Sequence, residues 1–362
     1  MAKLIYLNEE KKENAYLVYF NLEDSERELA EMKELIRSAM LNFVDSNLVN
    51  LREINPATYI GEGKVLEFAE IVEKLKIDVV IFDIGLTGSQ LKNLSNALNV
   101  KVIDRTMLIL DIFAGRAKST EGKLQIKLAQ LEYSKSRLNA ISGTAGRFGS
   151  GGVGMRGPGE SKLELDRRKV EEEIIKLKRE LKDVEKNRQT NKQLRKRNNI
   201  NLVSLVGYTN AGKSTLLNTI SKAGAYADDR LFATLDVISK KVWDNGVEYL
   251  LSDTVGFVSN LPHQLMNAFS ATLEELRDAD VVLIVLDASD KNKYAQLKIV
   301  EDEMEKLNVD KQKAILVYNK MDNVTAEEKE NLETFGYTTC YIEAKNNKNV
   351  IELKNLIREK LS

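Results

Sequence analysis

The chain has 362 residues, which is too long for one ordinary hydrophobic core, so its length favours two or more domains. Apolar residues make up 43% of the chain and charged residues 30%, and a content of only 20 glycines and 3 prolines excludes a collagen-like or wholly disordered chain. The net charge of −1, taken alone, argues against a nucleic-acid-binding protein.

The average charge hides an asymmetry along the chain. Residues 101–199 carry 24 Lys and Arg against 13 Asp and Glu, a local charge of +11, and the rest of the chain carries −12. A basic segment of this size commonly faces a polyanion such as RNA, although a solvated helical surface rich in lysine has the same composition. Charge alone leaves both interpretations open.

The chain contains one cysteine, Cys340, which excludes an intrachain disulfide and a cysteine-based metal site and favours a reducing compartment. No window approaches 18 consecutive apolar residues, and the N-terminus shows no signal-peptide pattern. We therefore expect a cytoplasmic protein without a membrane span, and no further domain after a C-terminal helix predicted over 350–361.

The first hundred residues alternate between strand and helix patterns. Hydrophobic periodicity predicts strands over 15–20, 48–54, 79–82 and 100–103, and helices over 25–41, 64–75 and 89–98, with Ser25 as the first N-cap. This alternation is typical of a small parallel sheet with right-handed crossovers. The segment Gly61-Glu62-Gly63-Lys64 has the composition of a phosphate-binding loop, but an ordinary turn is the favoured interpretation.

Two leucine-rich helices are predicted within the basic segment. A 3.5-residue seam in the first helix joins Leu124, Leu128, Leu131 and Leu138. The a and d positions of the second, from Ser161 to about Leu194, are Leu163, Val170, Ile174, Leu177, Leu181 and Val184. Two such seams joined by a short region favour an antiparallel helical hairpin, with a homodimeric coiled coil as the alternative.

The predicted tip of this hairpin, Ser142 to Gly159, holds eight of the chain's 20 glycines. Its charged residues before Glu160 are Arg147 and Arg156, beside Phe148 and Met155. A loop without bulky side chains lets its backbone approach a crowded surface, and arginines pair with phosphates or stack on bases. We favour a tip that contacts RNA over a flexible connector.

A phosphate-binding motif follows the basic segment. The strand predicted over 202–206 leads into Gly207-Tyr208-Thr209-Asn210-Ala211-Gly212-Lys213-Ser214, followed by Thr215 and a helix. In this context backbone N–H groups at a helix N-terminus surround phosphates. Lys213 is predicted to reach the β- and γ-phosphates, and Ser214 to ligate Mg²⁺.

Two further motifs stand at predicted strand ends. Asp253-Thr254-Val255-Gly256 follows the strand predicted over 247–251, so its carboxylate is expected in the Mg²⁺ shell and its glycine N–H at the γ-phosphate. Asn319-Lys320-Met321-Asp322 is predicted to read the base. An aspartate accepts bonds from the N1–H and amine of guanine, and adenine has no donor at N1. The three motifs in this order predict a GTPase that binds GTP and GDP.

From about Tyr59 to Leu361 the chain resembles the HflX family of translation-associated GTPases. Outside the nucleotide motifs, the resemblance rests on Tyr59-Ile60-Gly61 with Gly63-Lys64, Val102 to Thr106, Gly157 to Glu160, Leu163-Glu164 with Asp166 to Arg168, and Phe257 with Leu261 to His263. It implies an α/β fold with an N-terminal parallel α/β domain, an antiparallel helical hairpin and a P-loop GTPase domain. We set the boundaries at 1–104, 105–197 and 198–362.

The resemblance also assigns roles. Phe232-Ala233-Thr234 resembles the first switch, which makes Thr234 an Mg²⁺ and γ-phosphate sensor, and 253–263 with the following helix resembles the second switch. Glu343-Ala344-Lys345 resembles the segment whose alanine N–H meets guanine O6, although its usual serine is missing. His263 is more plausible as a structural or switch contact than as a base. We expect Lys213, Thr234 and Gly256 to serve catalysis directly.

Two residues distinguish this site from Ras-like GTPases. Phe257 stands where many relatives carry a glutamine that orients the attacking water, so we predict slow hydrolysis that a partner accelerates; the alternative is a packing role for Phe257. Asn210 resembles the asparagine that helps bind K⁺ in some GTPases, and an ordinary loop residue is the alternative.

The resemblance implies a factor that binds the large ribosomal subunit and its RNA through the hairpin tip, and that splits or rescues stalled ribosomes in stress. We expect this factor to be a monomer. The alternatives are a GTPase of ribosome assembly or RNA modification that splits no ribosomes, and an N-terminal domain that binds ATP and remodels RNA.

Overall fold

The computed structural model describes residues 12–20, 25–145, 158–221, 238–254, 256–257 and 270–362. The chain divides into two compact units, one of residues 1–112 with 133–168 and the other of residues 113–132 with 169–362. The three-domain boundaries expected from the sequence stay a prediction.

The first unit contains a four-stranded parallel sheet in the order β2-β1-β3-β4. Its strands are β1 (Asn14–Phe20), β2 (Asn42–Val49), β3 (Val79–Phe82) and β4 (Lys101–Asp104). Its helices are α1 (Ser25–Ser38), α2 (Glu62–Leu75), α3 (Gly88–Leu98) and α4 (Arg105–Arg116), the last of which continues to the second unit. The predicted parallel α/β sheet is confirmed.

Three expectations for this unit were wrong in detail. Ser25 is the first residue of α1 and not its N-cap, and α1 ends at Ser38 rather than at Leu41. The strand predicted over 48–54 is β2 at Asn42–Val49. β2 is an edge strand whose residues are mostly half-buried, and its polar segment Asp45-Ser46-Asn47 hides the alternation that reveals a strand. Pairing with β1, which the sequence does not display, sets its register.

The segment Gly61–Lys64 forms an ordinary helix start. Gly61 is the N-cap of α2 in an extended conformation, and Lys64 pairs with Glu67 at 2.8 Å. A β-carbon added at Gly61 or Gly63 would meet no atom within 4 Å, so nothing in the fold requires glycine there. The geometry favours the turn over the phosphate loop.

A buried polar cluster closes the carboxyl end of β4. The Asp104 carboxylate is fully buried and accepts bonds from the backbone N–H groups of Leu86 (3.1 Å) and Met107 (2.9 Å), the Tyr133 hydroxyl and Arg137 Nη2 (2.6 Å). Next to it, buried Arg105 pairs with Asp83 at 2.6 Å and with Glu31. Burial raises the pKa of Asp83 in spite of that partner.

Two long helices, α5 (Thr120–Ala145) and α6 (Pro158–Arg197), contribute to both units. Within the second unit Glu121, at the start of α5, pairs with Arg188, and Glu132, further along α5, pairs with Lys178, which comes earlier on α6, so these segments run antiparallel. Ile174 and Leu177 are buried as predicted.

On α5 the buried face differs from the predicted leucine seam. Leu124, Leu128 and Leu131 are half-buried, and the buried residues include Ile126, Ala129 and Tyr133. The buried face of α5 includes Tyr133 because its hydroxyl binds Asp104. Leu138, Leu163 and the tip at 146–157 lie outside the described side chains or residues.

The second unit contains a six-stranded sheet in the order β10-β9-β8-β5-β7-β6, parallel except for the β6–β7 pair. Its strands are β5 (Asn201–Val206), β6 (Ile238–Asp244), β7 (Val247–Asp253), β8 (Val281–Asp287), β9 (Ala314–Asn319) and β10 (Thr338–Tyr341). Its further helices are α7 (Lys213–Ser221), α8 (Ser270–Arg277), α9 (Lys293–Lys306), α10 (Ala326–Glu330) and α11 (Val350–Leu361).

The central strands β5, β8 and β9 are almost completely buried, as expected for a sheet covered on both faces. Their carboxyl ends lie at one edge of the sheet, where a doubly wound fold binds ligands. In the part of the chain that the structure describes, no helix has the length and apolar character required to cross a membrane.

Candidate nucleotide-binding site

The loop between β5 and α7 is held close to its neighbours at two glycines. A β-carbon at Gly207 would overlap the carbonyl oxygen of Val285 on β8. Gly212 has a φ of +94°, and a β-carbon there would overlap Nδ2 of Asn319. Both positions therefore require glycine, because any side chain collides with backbone or with a buried amide. The loop wraps the N-terminus of α7, where backbone N–H groups favour an anion.

Lys213, the first residue of α7, is buried beneath this loop. Its Nζ donates to the carbonyl oxygens of Gly207 (3.1 Å) and Tyr208 (2.9 Å). Burial lowers the pKa of Lys213 to about 8, and the charge of Asp253 partly offsets that effect. A buried ammonium group held by carbonyl oxygens gains strongly from an arriving polyphosphate.

Two oxygen ligands converge beside the lysine. The Ser214 hydroxyl donates to Oδ2 of Asp253 at 2.7 Å, which brings the ends of β7 and α7 together. Hydroxyl and carboxylate oxygens are the donors that Mg²⁺ prefers, so these residues fit the predicted metal shell. Thr254 donates from its hydroxyl to the Leu205 carbonyl at 2.6 Å and fixes β7 against β5. Thr215 lies in the first turn of α7.

The segment after β7 pairs with the phosphate-binding loop. Thr209 N–H donates to the Phe257 carbonyl at 2.9 Å, and Phe257 N–H donates to the Gly207 carbonyl at 3.2 Å. A β-carbon at Gly256 would lie 2.8 Å from Cγ2 of Thr209 and 2.9 Å from Nζ of Lys213. Gly256 is therefore pressed against the loop at the point where Lys213 emerges.

The base-recognition segment is joined to the same loop. Asn319 donates from Nδ2 to the Ala211 carbonyl and accepts the Ala344 N–H at Oδ1, both at 3.0 Å. Lys320 has a φ of 59° and pairs with Asp287 at 2.8 Å. Met321 and Asp322 begin a short turn in which the Asp322 side chain is exposed. One amide thus holds together the phosphate loop and the two segments predicted to recognise the base.

The Glu343-Ala344-Lys345 segment lacks the usual serine, and other contacts hold it in place. Glu343 pairs with Lys348 at 2.7 Å, and that bond lowers the pKa of Glu343. Ala344 is buried, and its carbonyl accepts a bond from the Thr219 hydroxyl at 2.8 Å. Its N–H is bonded to Asn319 in this structure, so its contact with guanine O6 stays a prediction.

Several predicted site residues lie outside the described residues: Phe232, Ala233 and Thr234 of the first switch, and Val255 and His263 of the second. The described site therefore contains the phosphate loop, the Ser214–Asp253 pair, Gly256 with Phe257, and the base-recognition segments.

Sequence reasoning missed a connection between α6 and α8. Arg188 on α6 pairs with Glu121 (2.6 Å) and with Glu274 on α8 (2.8 Å), and Lys192 pairs with Asp278 at the end of α8. Both cations belong to the basic segment 101–199, whose charge predicts a surface for RNA. An excess of charge along the sequence does not reveal which charges are paired within the fold.

Three family models match consecutive parts of the chain. They are the N-terminal region of a GTP-binding GTPase over residues 26–114, its middle region over 116–195, and a 50S ribosome-binding GTPase over 202–320. The GTPase HflX of Caldanaerobacter subterraneus is 44% identical over 352 residues, which cover 97% of this chain and 81% of the relative.

This chain belongs to the HflX family of GTPases. The HflX GTPase of Escherichia coli is 43% identical over 84% of this chain and 72% of its own length. Two GDP complexes have the same fold: SsGBP, with a TM-score of 0.55 and 24% identity, and a GTP-binding protein of Sulfolobus solfataricus, with a TM-score of 0.51 and 23% identity. Each match covers 96% of this chain and 98% of the solved one. The expected combination of α/β sheets, helical middle region and P-loop GTPase domain is confirmed.

Proposed function

We propose that this HflX-family protein binds GTP, hydrolyses it to GDP and phosphate, and uses this cycle on the large ribosomal subunit to split or rescue stalled ribosomes under stress. Because ribosomes are cytoplasmic, we propose that the protein is located in the cytoplasm. We also propose that it is a monomer. The support for a ribosomal partner is the family's description as ribosome-binding GTPases and the basic α6.

The connection between α6 and α8 is the observation that carries this proposal. α8 begins after the segment predicted to sense the γ-phosphate, and Arg188 and Lys192 tie it to α6. Moreover, Ser252 on β7, the residue before Asp253, donates to Glu275 on α8 at 2.5 Å. A shift of the Asp253–Gly256 segment is thereby transmitted to α8 and then to α6, which leads to the hairpin tip predicted to contact ribosomal RNA.

The proposed chemistry uses the groups already described. The loop N–H groups and Lys213 hold the phosphates, while Ser214 and, through water, Asp253 hold Mg²⁺, with Thr234 as a further ligand once GTP orders the first switch. Bound Mg²⁺ neutralises charge that develops on the phosphates. Gly256 N–H senses the γ-phosphate. Because Phe257 offers no polar side-chain atom, we expect slow hydrolysis that the ribosome stimulates by roughly 10³-fold or more.

Asn210 is a candidate K⁺ ligand beside the phosphates. Its side chain is exposed and its φ is 63°, a conformation that asparagine tolerates better than most residues, so a loop role alone also accounts for it. Hydrolysis measured in KCl and in NaCl tests the proposal. A faster rate in KCl that Asn210→Ala removes would support a K⁺ site, and equal rates in the two salts would exclude it.

Sedimentation of ribosomes tests the main function. Intact ribosomes and isolated large subunits are mixed with the protein in its GTP-analogue, GDP and nucleotide-free states. We expect large-subunit binding to be strongest with the analogue and intact ribosomes to decrease. Binding without a loss of intact ribosomes would replace splitting with a role in assembly. Absence of ribosomal association would contradict the proposal.

Two variants locate the coupling and the contact. Deletion of residues 149–154 should abolish ribosome association and leave GDP affinity unchanged, and association at the normal level would contradict the tip contact.

Arg188→Ala should leave GDP affinity unchanged but reduce the difference in ribosome binding between the GTP-analogue state and the GDP state. Arg179→Ala, an exposed cation on the same helix, is the matched control. An unchanged difference in Arg188→Ala would contradict transmission through α8.

A further inference from the structure

The position that orients water in many GTPases is occupied by a residue that has no suitable group here. Phe257 is buried, its N–H donates to Gly207 and its carbonyl accepts from Thr209. Both of its backbone groups are engaged and its ring has no hydrogen-bonding atom. For hydrolysis by this chain without a partner, another group near the predicted γ-phosphate position is needed to orient the water.

Thr209 supplies a hydroxyl that the fold does not use. The residue is only 7% exposed, and its Oγ1 has no hydrogen-bond partner among the described residues. Leaving a buried hydroxyl unpaired costs about 1 to 3 kcal/mol, and such groups commonly serve a ligand or a reaction. The backbone N–H of Thr209 already bonds to Phe257, so the loop conformation does not need the hydroxyl.

Thr209 lies where the reacting phosphate is expected. A β-carbon at Gly256 would lie within 2.9 Å of both Cγ2 of Thr209 and Nζ of Lys213. Lys213 is the group that reaches the β- and γ-phosphates, and Gly256 is the predicted γ-phosphate sensor. A rotation of about 120° about χ1 moves Oγ1 of a threonine to the position that Cγ2 held before, so the hydroxyl can take the position of the methyl group.

We propose that the Thr209 hydroxyl is a catalytic group of GTP hydrolysis, which accepts a hydrogen bond from the attacking water and donates one to a γ-phosphate oxygen. This rests on the proposed GTPase reaction at this site. The water oxygen bonds to the γ-phosphorus as the bond to the β–γ bridging oxygen breaks, and that electron pair stays on GDP. The water protons leave on the released phosphate, as GTP⁴⁻ and H₂O become GDP³⁻ and H₂PO₄⁻. The hydroxyl exchanges no proton overall and acts by orientation.

Thr209→Val and Thr209→Ser separate the hydroxyl from the shape of the side chain. Valine retains the branched shape and loses the hydroxyl, while serine retains the hydroxyl. Single-turnover GTP hydrolysis is measured with and without large ribosomal subunits, alongside GDP affinity and the retention of GDP with aluminium fluoride, a mimic of the transferred phosphoryl group. We expect Thr209→Val to hydrolyse GTP on the order of 10²-fold more slowly, as when one transition-state donor is removed.

The same variant should bind GDP within about 3-fold of the wild type but lose its retention of aluminium fluoride, and Thr209→Ser should recover most of the rate. Its resistance to urea in the nucleotide-free state should not decrease, because valine removes an unpaired buried hydroxyl. A wild-type rate in Thr209→Val, or a loss of GDP affinity as large as the loss of rate, would overturn the proposal. If the wild type itself hydrolyses no GTP, the proposed function fails instead, and if only ribosomal stimulation is absent, the test remains valid without subunits.

Discussion

The side-chain amide of Asn319 lies 3.0 Å from the carbonyl oxygen of Ala211, so the end of β9 is bonded to the phosphate-binding loop. The same side chain accepts the Ala344 N–H. One buried amide, which is 2% exposed, thus joins the phosphate-binding loop to the segments predicted to recognise the base.

Asn319→Ala should weaken both the site and the fold. It leaves the Ala211 carbonyl and the Ala344 N–H without this partner, at about 1 to 3 kcal/mol for each buried group. We expect GDP affinity to fall at least about 10-fold and the free energy of unfolding to decrease, as measured by nucleotide fluorescence titration and urea denaturation. Asn323→Ala, exposed and four residues away, is the control and should change neither quantity.

Asp322→Asn should change which base is bound. Two hydrogen bonds from guanine to a carboxylate are lost, and the asparagine amide instead donates to the oxygen that xanthine carries at C2. Charged hydrogen bonds contribute about 1.5 to 3 kcal/mol each, so GDP affinity should fall on the order of 10²-fold while XDP binding improves. Competition between GDP and XDP measures the exchange. Retained preference for GDP would contradict base recognition by Asp322.

Lys213 should couple nucleotide binding to proton uptake. Its pKa is lowered to about 8 by burial in the nucleotide-free protein, and bound phosphates favour its charged form. Above pH 8 the free protein has lost this proton, so GDP binding takes it up and GDP affinity decreases with rising pH. Calorimetry in buffers of different ionisation enthalpy should detect uptake at pH 8.5 and little at pH 7.

The free energy of unfolding depends on pH in the opposite direction to GDP affinity. A lysine whose folded pKa lies below its unfolded value of 10.5 leaves the unfolded chain with more bound protons between pH 8 and 10.5. This residue therefore increases the free energy of unfolding of the nucleotide-free protein as pH rises through that range. Proton uptake on GDP binding that is equal at pH 7 and 8.5 would contradict the assignment.

Asp104→Ala should destabilise the first unit strongly. It leaves Arg137 without its buried carboxylate partner, and removing one member of a buried pair costs about 3 to 5 kcal/mol. The chain's single tryptophan, Trp243, lies in the second unit, so circular dichroism and hydrogen exchange within residues 79–104 are the suitable probes. Asp45→Ala, at an exposed position on the edge strand β2, is the control. Equal stability of the two variants would refute the importance of the cluster.

Much of the site could be predicted from the sequence because its signals are local. A glycine-rich loop between a buried strand and a helix, and motifs at the ends of successive strands, depend on residues only a few positions apart. The positions of Gly207 and Gly212 are likewise part of a local motif. The reason why each must be glycine is not local, because Val285 and Asn319 occupy the space that a side chain would need.

The errors arose where distant residues decide the outcome. The predicted bounds of β2 were wrong because pairing with β1 sets the register of this edge strand. The buried face of α5 differs from the predicted leucine seam because Tyr133 binds a carboxylate 29 residues away. Similarly, the net charge of residues 101–199 predicts one basic surface, whereas Arg188 and Lys192 form ion pairs with Glu274 and Asp278. Linear counts contain no information about such partners.

The sequence by itself determined the fold class, the order of the guanine-nucleotide motifs and the presence of a basic helical middle region, since each follows from local periodicity, spacing and composition. Only the tertiary structure decided that Asn319 links the loop to the segment predicted to recognise the base, that α6 is bonded to α8, and that the Thr209 hydroxyl is buried without a partner in the described chain. These facts depend on contacts between residues far apart in sequence, which form only when the strands have taken their places in the sheet.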